Sequence, residues 1–493
     1  MKYKHLDCSA LLAGRLLVLA AAATLAACAS YGSLAPPARL QDVVALDAGQ
    51  TLVSSSPIAW PDERWWQAYG DPQLDALVAA ALAGNPDLRA ARARVAQAEG
   101  AAGIAEGATL PRLDAEAGFQ RTFLTQQEFS PSPIFAHTYW KSDLLLRASY
   151  SLDLWGREEK ALESAVDTVH AAEARIQAVR LSLATAVVQA YVQLAMQQAL
   201  REVLAANLDR QQQLLDIARR RLGAGLGTEL EVNQAATAIP ESEAQLEQID
   251  ENLAIGRHQL AALSGQGPGA GDRIQPPQLR LDQPAGLPAT LPAHLLGRRP
   301  DIVAQRWQVE AASQDVAVAK ARFYPDINLA AFAGVATLNL STLVTGSLAD
   351  IGNAGIGPAI SLPLFDGGRL RGNLQLQAGR RDEAIERYNA AVIAALREVA
   401  DEVSRQRSIA QQLALNATAL DRARLAGQQA EQGFHAGLTD YLNVLNTQAA
   451  LLLQQRNRAQ LIARQLESHA ALMAALGGGY QTTQEVAGHG DAP

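Results

Sequence analysis

The chain has 493 residues, 48% of them hydrophobic but only 5% aromatic, and a net charge of -8 from 42 Lys plus Arg against 50 Asp plus Glu. Abundant Ala, Leu, Val, Gln and Arg favour long helices packed by small side chains over one large globular core. The acidic balance excludes nucleic acid as the main partner, which needs a basic surplus. Two cysteines, Cys8 and Cys28, exclude a disulfide framework and a cysteine-based zinc site.

Residues 1–27 start basic (Lys2, Lys4, Arg15) and run into the apolar Leu16–Ala27, too short to span a bilayer as a helix but suited to an export signal. The run ends in Leu25-Ala26-Ala27-Cys28, which resembles the bacterial lipoprotein cleavage box. That resemblance implies that Cys28 becomes the acylated first residue of the mature protein, and Ala29 in place of Asp implies sorting to the outer membrane. Residues 28–71 are then a lipid-anchored amino-terminal segment. No later stretch approaches the roughly 18 consecutive apolar residues of a spanning helix, so a membrane crossing must use strands.

From there the chain repeats itself. Asn85-Pro86-Asp87-Leu88 and Arg299-Pro300-Asp301-Ile302 open segments aligned at an offset of 214, and Ala224-Gly225-Leu226 matches Ala436-Gly437-Leu438 at an offset of 212. An internal duplication over 72–284 and 285–477 follows, with a tail at 478–493. Each half opens on a helix, marked by Asn85 as N-cap with Pro86 in the first turn and echoed by Pro300.

Pro111 or Pro325 ends that helix, and the hydrophobic period changes to two. Leu113, Ala115, Ala117 and Phe119 alternate with Arg112, Asp114, Glu116, Gly118 and Gln120; Leu144, Leu146, Ala148 and Tyr150 alternate with Asp143, Arg147 and Ser149. Strands are expected at about 111–124 and 141–155, and more weakly at about 325–335 and 353–365, each the length of a tilted membrane strand. Tyr139, Trp140 and Trp155 suit the aromatic girdles of such a strand pair. Helical hairpins follow at about 156–264 and 367–476. Their outgoing arms carry a seven-residue apolar repeat (Leu162, Val169, Ile176, Leu183 and Ile385, Val392, Val399), the mark of coiled-coil packing. Pro240 is expected to kink the first return arm.

Four membrane strands leave two open edges, and unpaired backbone groups in hydrocarbon cost several kcal/mol each. Several chains must therefore complete a barrel: two would supply eight strands, three would supply twelve. An eight-stranded barrel is filled by its own side chains, whereas twelve strands running into twelve long helices make a hollow tube.

Helix, strand, loop, strand and helical hairpin, performed twice behind a lipoprotein signal, resemble the TolC-like outer-membrane efflux factors in their lipoprotein branch. The motifs Tyr150-Ser-Leu-Asp-Leu-Trp-Gly156, Gly297-Arg-Arg-Pro-Asp301 and Leu362-Pro-Leu-Phe-Asp-Gly-Gly368 carry the resemblance. It implies a mainly α homotrimer with a helical α-barrel above a twelve-stranded membrane β-barrel, in the outer membrane with a large periplasmic part. It also implies an exit duct for small toxic compounds, working with a periplasmic adaptor and an inner-membrane pump of RND or major-facilitator type. By the same resemblance Gly225, Leu226, Gly437 and Leu438 dock the adaptor, and Glu231, Asp440, Asn443 and Asn446 line the periplasmic aperture. Asn443 and Asn446 are neutral where relatives often carry aspartate, which implies a weaker cation block unless Asp440 replaces the charge.

Scattered histidines, no phosphate loop and no close ligand spacing give no enzyme, no metal and no cofactor. A type I protein secretion duct and a structural coiled-coil envelope lipoprotein are the alternatives; the latter leaves the alternating segments unexplained.

Overall fold

A computed structural model describes residues 36–42, 46, 57–58, 60–123, 138–280, 287–288, 295–337, 345, 347 and 351–481. Cys28, the signal and most of the tail lie outside the described residues. The chain forms two compact units: Met1–Arg39, Val95–Ala171 and Arg306–Arg387 make the first; Leu40–Arg94, Ala172–Gln305 and Tyr388–Pro493 make the second.

The principal elements are α1 (Pro72–Gly84), α2 (Pro86–Ala108), β1 (Arg112–Phe123), β2 (Thr138–Ser151), α3 (Arg157–Gly223), α4 (Glu229–Leu263), α5 (Pro300–Ala321), β3 (Asp326–Thr337), β4 (Gly352–Ser361), α6 (Arg369–His435) and α7 (Tyr441–Ala475). Asn85 accepts from the N–H groups of Asp87 and Leu88 at the start of α2, at 2.8 and 3.3 Å. Before it, α1 is an additional helix, capped by Asp71, which accepts from Gln73 N at 2.9 Å. α2 and β1 precede α5 and β3 by 214 residues at their starts, whereas α3 and α4 precede α6 and α7 by 212 at both ends. The second half therefore lacks two residues between the start of its second strand and its long helix. An even deletion leaves the alternation of strand faces intact.

In the first unit, β1, β2, β3 and β4 form one antiparallel sheet in that order. β2 and β4 both stop short of the expected 155 and 365. Beyond β2 the chain turns through Gly156 at φ 69°, and Asp153 accepts the N–H groups of Arg157, Glu158 and Glu159. Asp153, which the period of two would place on the polar face of the strand, instead caps the amino end of α3 from three residues before Gly156. Beyond β4, Pro363 removes a ladder donor and Asp366 repeats the cap, accepting from Gly368 and Leu370; those bonds hold its carboxyl below the usual range.

In the second unit, α3 buries Ala184, Val187, Val188, Tyr191 and Val192. An 18-residue window of α3 is apolar enough by composition to cross a membrane, although no unbroken apolar run marks it; 44% of that window is buried. Tyr191 donates to Asp71 at 2.8 Å and Tyr69 donates to the Leu466 carbonyl at 2.7 Å. His469 Nδ1 lies 3.2 Å from the Tyr69 hydroxyl, and burial pushes its pKa down to about 4. Arg299 pairs with Asp301 and Glu398, each at 2.7 Å, so the Arg-Pro-Asp motif ties the start of α5 to α6. α4 continues on both sides of Pro240.

Candidate functional site

The sheet has two chemically different faces because its register keeps like with like. Opposite pairs Leu113–Ala148, Ala115–Leu146 and Ala117–Leu144 share one face; Asp114–Arg147, Glu116–Leu145 and Gly118–Asp143 share the other. Across β3 and β4 the apolar face continues through Leu329, Ala331, Ile356 and Ile360. Leu113 is 70% exposed and Ile356 88%, a wide greasy surface that the single chain leaves uncovered. On the polar face Arg112 pairs with Asp114 at 2.8 Å and Arg147 with Glu116 at 2.5 Å. Arg112, Lys141 and Arg147 there balance Asp114, Glu116 and Asp143. Among the described residues two aromatics fall on this face, Tyr139 by register and Phe332, which has Arg147 6.0 Å above its ring and Gly355 leaving room beneath it.

The expected girdle residues fall in different settings. Trp140 lies within β2, half exposed, and Tyr139 stands opposite Thr122, its side chain outside the described residues. Trp155 lies in the turn past β2, stacked on Tyr324 at 4.8 Å and donating its indole N–H to the Pro325 carbonyl at 2.8 Å. It clamps two strand junctions together, a contact that sequence spacing could not have revealed.

At the hairpin tips, in the second unit, two turns have the same backbone. Gly225 N–H donates to Leu222 and Leu226 N–H to Arg221; Gly437 N–H donates to Phe434 and Leu438 N–H to Gly433. Both close a long helix with the paired bonds of a Schellman motif, which needs a left-handed residue. Gly225 at φ 70° and Gly437 at φ 72° supply it. Leu226 and Leu438 project outward, the latter 84% exposed, and Leu230 and Leu442 extend the apolar tip one turn further.

The return helices begin on matched caps. Thr228 accepts from Glu231 N at 3.3 Å, and Asp440 accepts from Asn443 N at 3.1 Å. Glu231 folds back over Gly227, where any Cβ would meet its carboxylate. Asn443 donates its amide to Thr439 at 2.8 Å, and Asn446 is exposed. Sequence reasoning missed Arg221. Its guanidinium lies 4.7 Å from the Phe434 ring and donates to the Phe434 and Leu226 carbonyls, each at 3.1 Å. One long side chain joins both tips, over a core of Leu214, Leu215, Ala235, Phe434, Tyr441 and Val444.

The profile of the family described as "Outer membrane efflux protein" matches residues 77–266 and 291–478. The chain belongs to the outer membrane efflux protein family. The fusaric acid resistance protein FusA of Burkholderia cepacia is 40% identical over 496 residues, covering 97% of this chain and 91% of its own length. The multidrug resistance outer membrane protein MdtP of Escherichia coli K12 is 31% identical, covering 86% and 87%. Among solved structures, the outer membrane protein VceC of Vibrio cholerae superposes with a TM-score of 0.80 at 35% identity, covering 86% of this chain and all of that one. This outer membrane efflux protein thus has the mainly helical, TolC-like channel fold with a small antiparallel sheet of four strands, and its function is that of an outer-membrane efflux channel.

Proposed function

We propose that three copies of this chain close a twelve-stranded barrel and form the passive exit duct of a tripartite efflux system. The observation that carries this reading is the four-stranded sheet with greasy and charged faces and, among the described residues, with β1 and β4 as unpaired edges. In hydrocarbon such edges must find partners, and β4 of one copy offers its free side to β1 of the next. Twelve residues at about 3.4 Å, tilted 45°, rise roughly 29 Å, enough for an apolar band about 25 Å tall. Three copies rather than two follows from the family resemblance, and a twelve-stranded barrel leaves the hollow lumen that a duct requires.

Acylated Cys28 anchors each copy in outer-membrane lipid. The exposed leucines at the tips, Leu226, Leu230, Leu438 and Leu442, offer apolar contacts to the helical hairpin of a periplasmic adaptor. An inner-membrane pump of RND or major-facilitator type supplies the energy and the selectivity, and the chain performs no catalysis. The names of the relatives favour small toxic compounds as cargo. At the aperture, Asn443 and Asn446 carry no charge and the Asp440 carboxylate is engaged in capping, which supports a weak block by divalent cations.

A chain carrying one cysteine on β1 and one on β4, at facing edge positions, should crosslink up to trimer under oxidation; crosslinking that stops at dimer contradicts three copies. Deletion should raise sensitivity to small toxic compounds, and unchanged sensitivity across a wide panel contradicts the efflux role. Tight divalent block of conductance that survives Asp440→Asn contradicts the aperture reading.

A further inference from the structure

On the outward face of the first membrane hairpin, among the described residues, a single cation stands among aromatic rings. Phe119, Arg121 and Phe123 follow one another on that face of β1, and the register sets Arg121 opposite Trp140. Phe119, Phe123 and Trp140 are all exposed, and the guanidinium carbon lies 6.0 Å from the centre of the Trp140 ring. The inward arginines Arg112 and Arg147 each hold a carboxylate, but among the described residues Arg121 has none within ion-pair distance.

Depth gives this cation a meaning. Arg121 is nine residues beyond Arg112, which starts the strand. At about 3.4 Å per residue and a 45° tilt that is roughly 22 Å of height, close to the far edge of an apolar band about 25 Å tall. At mid-depth a lipid-facing arginine is strongly disfavoured; at the interface it costs little and meets lipid headgroups. This end of the sheet carries the loop between β1 and β2, opposite the end that feeds the long helices.

We propose that Arg121 and Trp140 seat the phosphate of an anionic lipid at the loop end of the barrel, one seat per copy. The planar guanidinium presents parallel N–H donors that match phosphate oxygens. The indole face steadies the guanidinium by cation–π attraction and leaves its donor edge free. Phe119, one step deeper, extends an apolar floor for the lipid's hydrocarbon, and Phe123 flanks the seat on the loop side. The inference rests on the reading of β1 and β2 as membrane strands.

The test uses the full-length oligomer in mild detergent, titrated with diphosphoryl lipid A and followed by native mass spectrometry. Digalactosyl diacylglycerol serves as a phosphate-free lipid and inorganic phosphate as a free anion. Diphosphoryl lipid A should be retained over the glycolipid; Arg121→Gln should weaken it about fivefold per site, the weight of one cation near an anionic surface, and Arg121→Lys should recover much of the loss. Trp140→Phe should give a smaller loss. Equal lipid A affinity in Arg121→Gln, equal retention of the glycolipid, or displacement by millimolar inorganic phosphate would each overturn the seat. Channel conductance in planar bilayers separates the two readings: a wild-type protein that forms no channel removes the membrane strands and the seat with them, whereas normal channels in both wild type and Arg121→Gln leave the lipid titration decisive.

Discussion

The two hairpin tips share a turn and differ in what is attached to it. Their helices have equal lengths and an unbroken offset of 212, and both end on a glycine at positive φ. Yet Arg221 of the first half corresponds to Gly433 of the second, and Leu222 corresponds to Phe434. The tie between the tips therefore runs one way: the first hairpin supplies the guanidinium, and the second supplies the ring and the carbonyl. Duplication preserved the backbone because turns and caps depend on a few local residues, while divergence at single positions created a contact that a symmetric pair could not make.

The largest test of this asymmetry is Phe434→Ala. Phe434 is fully buried in the tip core, and truncation should cost about 3–5 kcal/mol locally. Hydrogen exchange should rise at both tips, whereas Leu222→Ala should loosen mainly the first; equal effects would break the comparison.

Acid should also act on one half. His469 corresponds to Arg257 of the first hairpin, and burial holds it at about 4 against an ordinary 6.5. The folded chain resists the proton that the unfolded chain accepts, so stability is complete above about pH 6.5 and falls as pH descends toward 4. The loss should reach about 3 kcal/mol at pH 4. His469→Gln should flatten that part of the profile measured by thermal unfolding; an unchanged slope would assign it to other groups.

Arg221→Ala removes two hydrogen bonds and a ring contact, for an expected loss of about 1–3 kcal/mol. Exchange at the Phe434 turn should quicken, and Arg221→Lys should restore only part of the protection. Smallest are the paired local changes. Gly225→Ala and Gly437→Ala should each cost about 1–2 kcal/mol, and Thr228→Ala and Asp440→Ala about 1 kcal/mol. Each member of a pair should match its partner in thermal stability, because here the halves are alike.

Much of this was readable without coordinates. Alternation of Leu113–Gln120 and Leu144–Ser149 fixes which face is greasy, and the β1–β2 register agrees because a one-residue slip would invert every side chain. Asn85, Pro86, Gly225 and Gly437 mark helix ends through local geometry alone. Strand ends were less readable: Leu152, Leu154, Leu362 and Leu364 continue the period of two past the point where Asp153 and Asp366 turn the chain into helices. α1 escaped notice, since its apolar face is short and its cap, Asp71, is recognised by its bonds to Tyr191 and Gln278.

The sequence alone determined the repeat, the two-faced strands, the long helices and the glycine turns, because each depends on periodicity or on the conformational demands of nearby residues. Tertiary structure decided that β2 pairs with β3 and leaves β1 and β4 as edges, that Trp155 clamps Tyr324, and that Arg221 reaches Phe434. Those contacts join residues some 170 to 213 positions apart, and only the folded backbone brings such distant groups within bonding range.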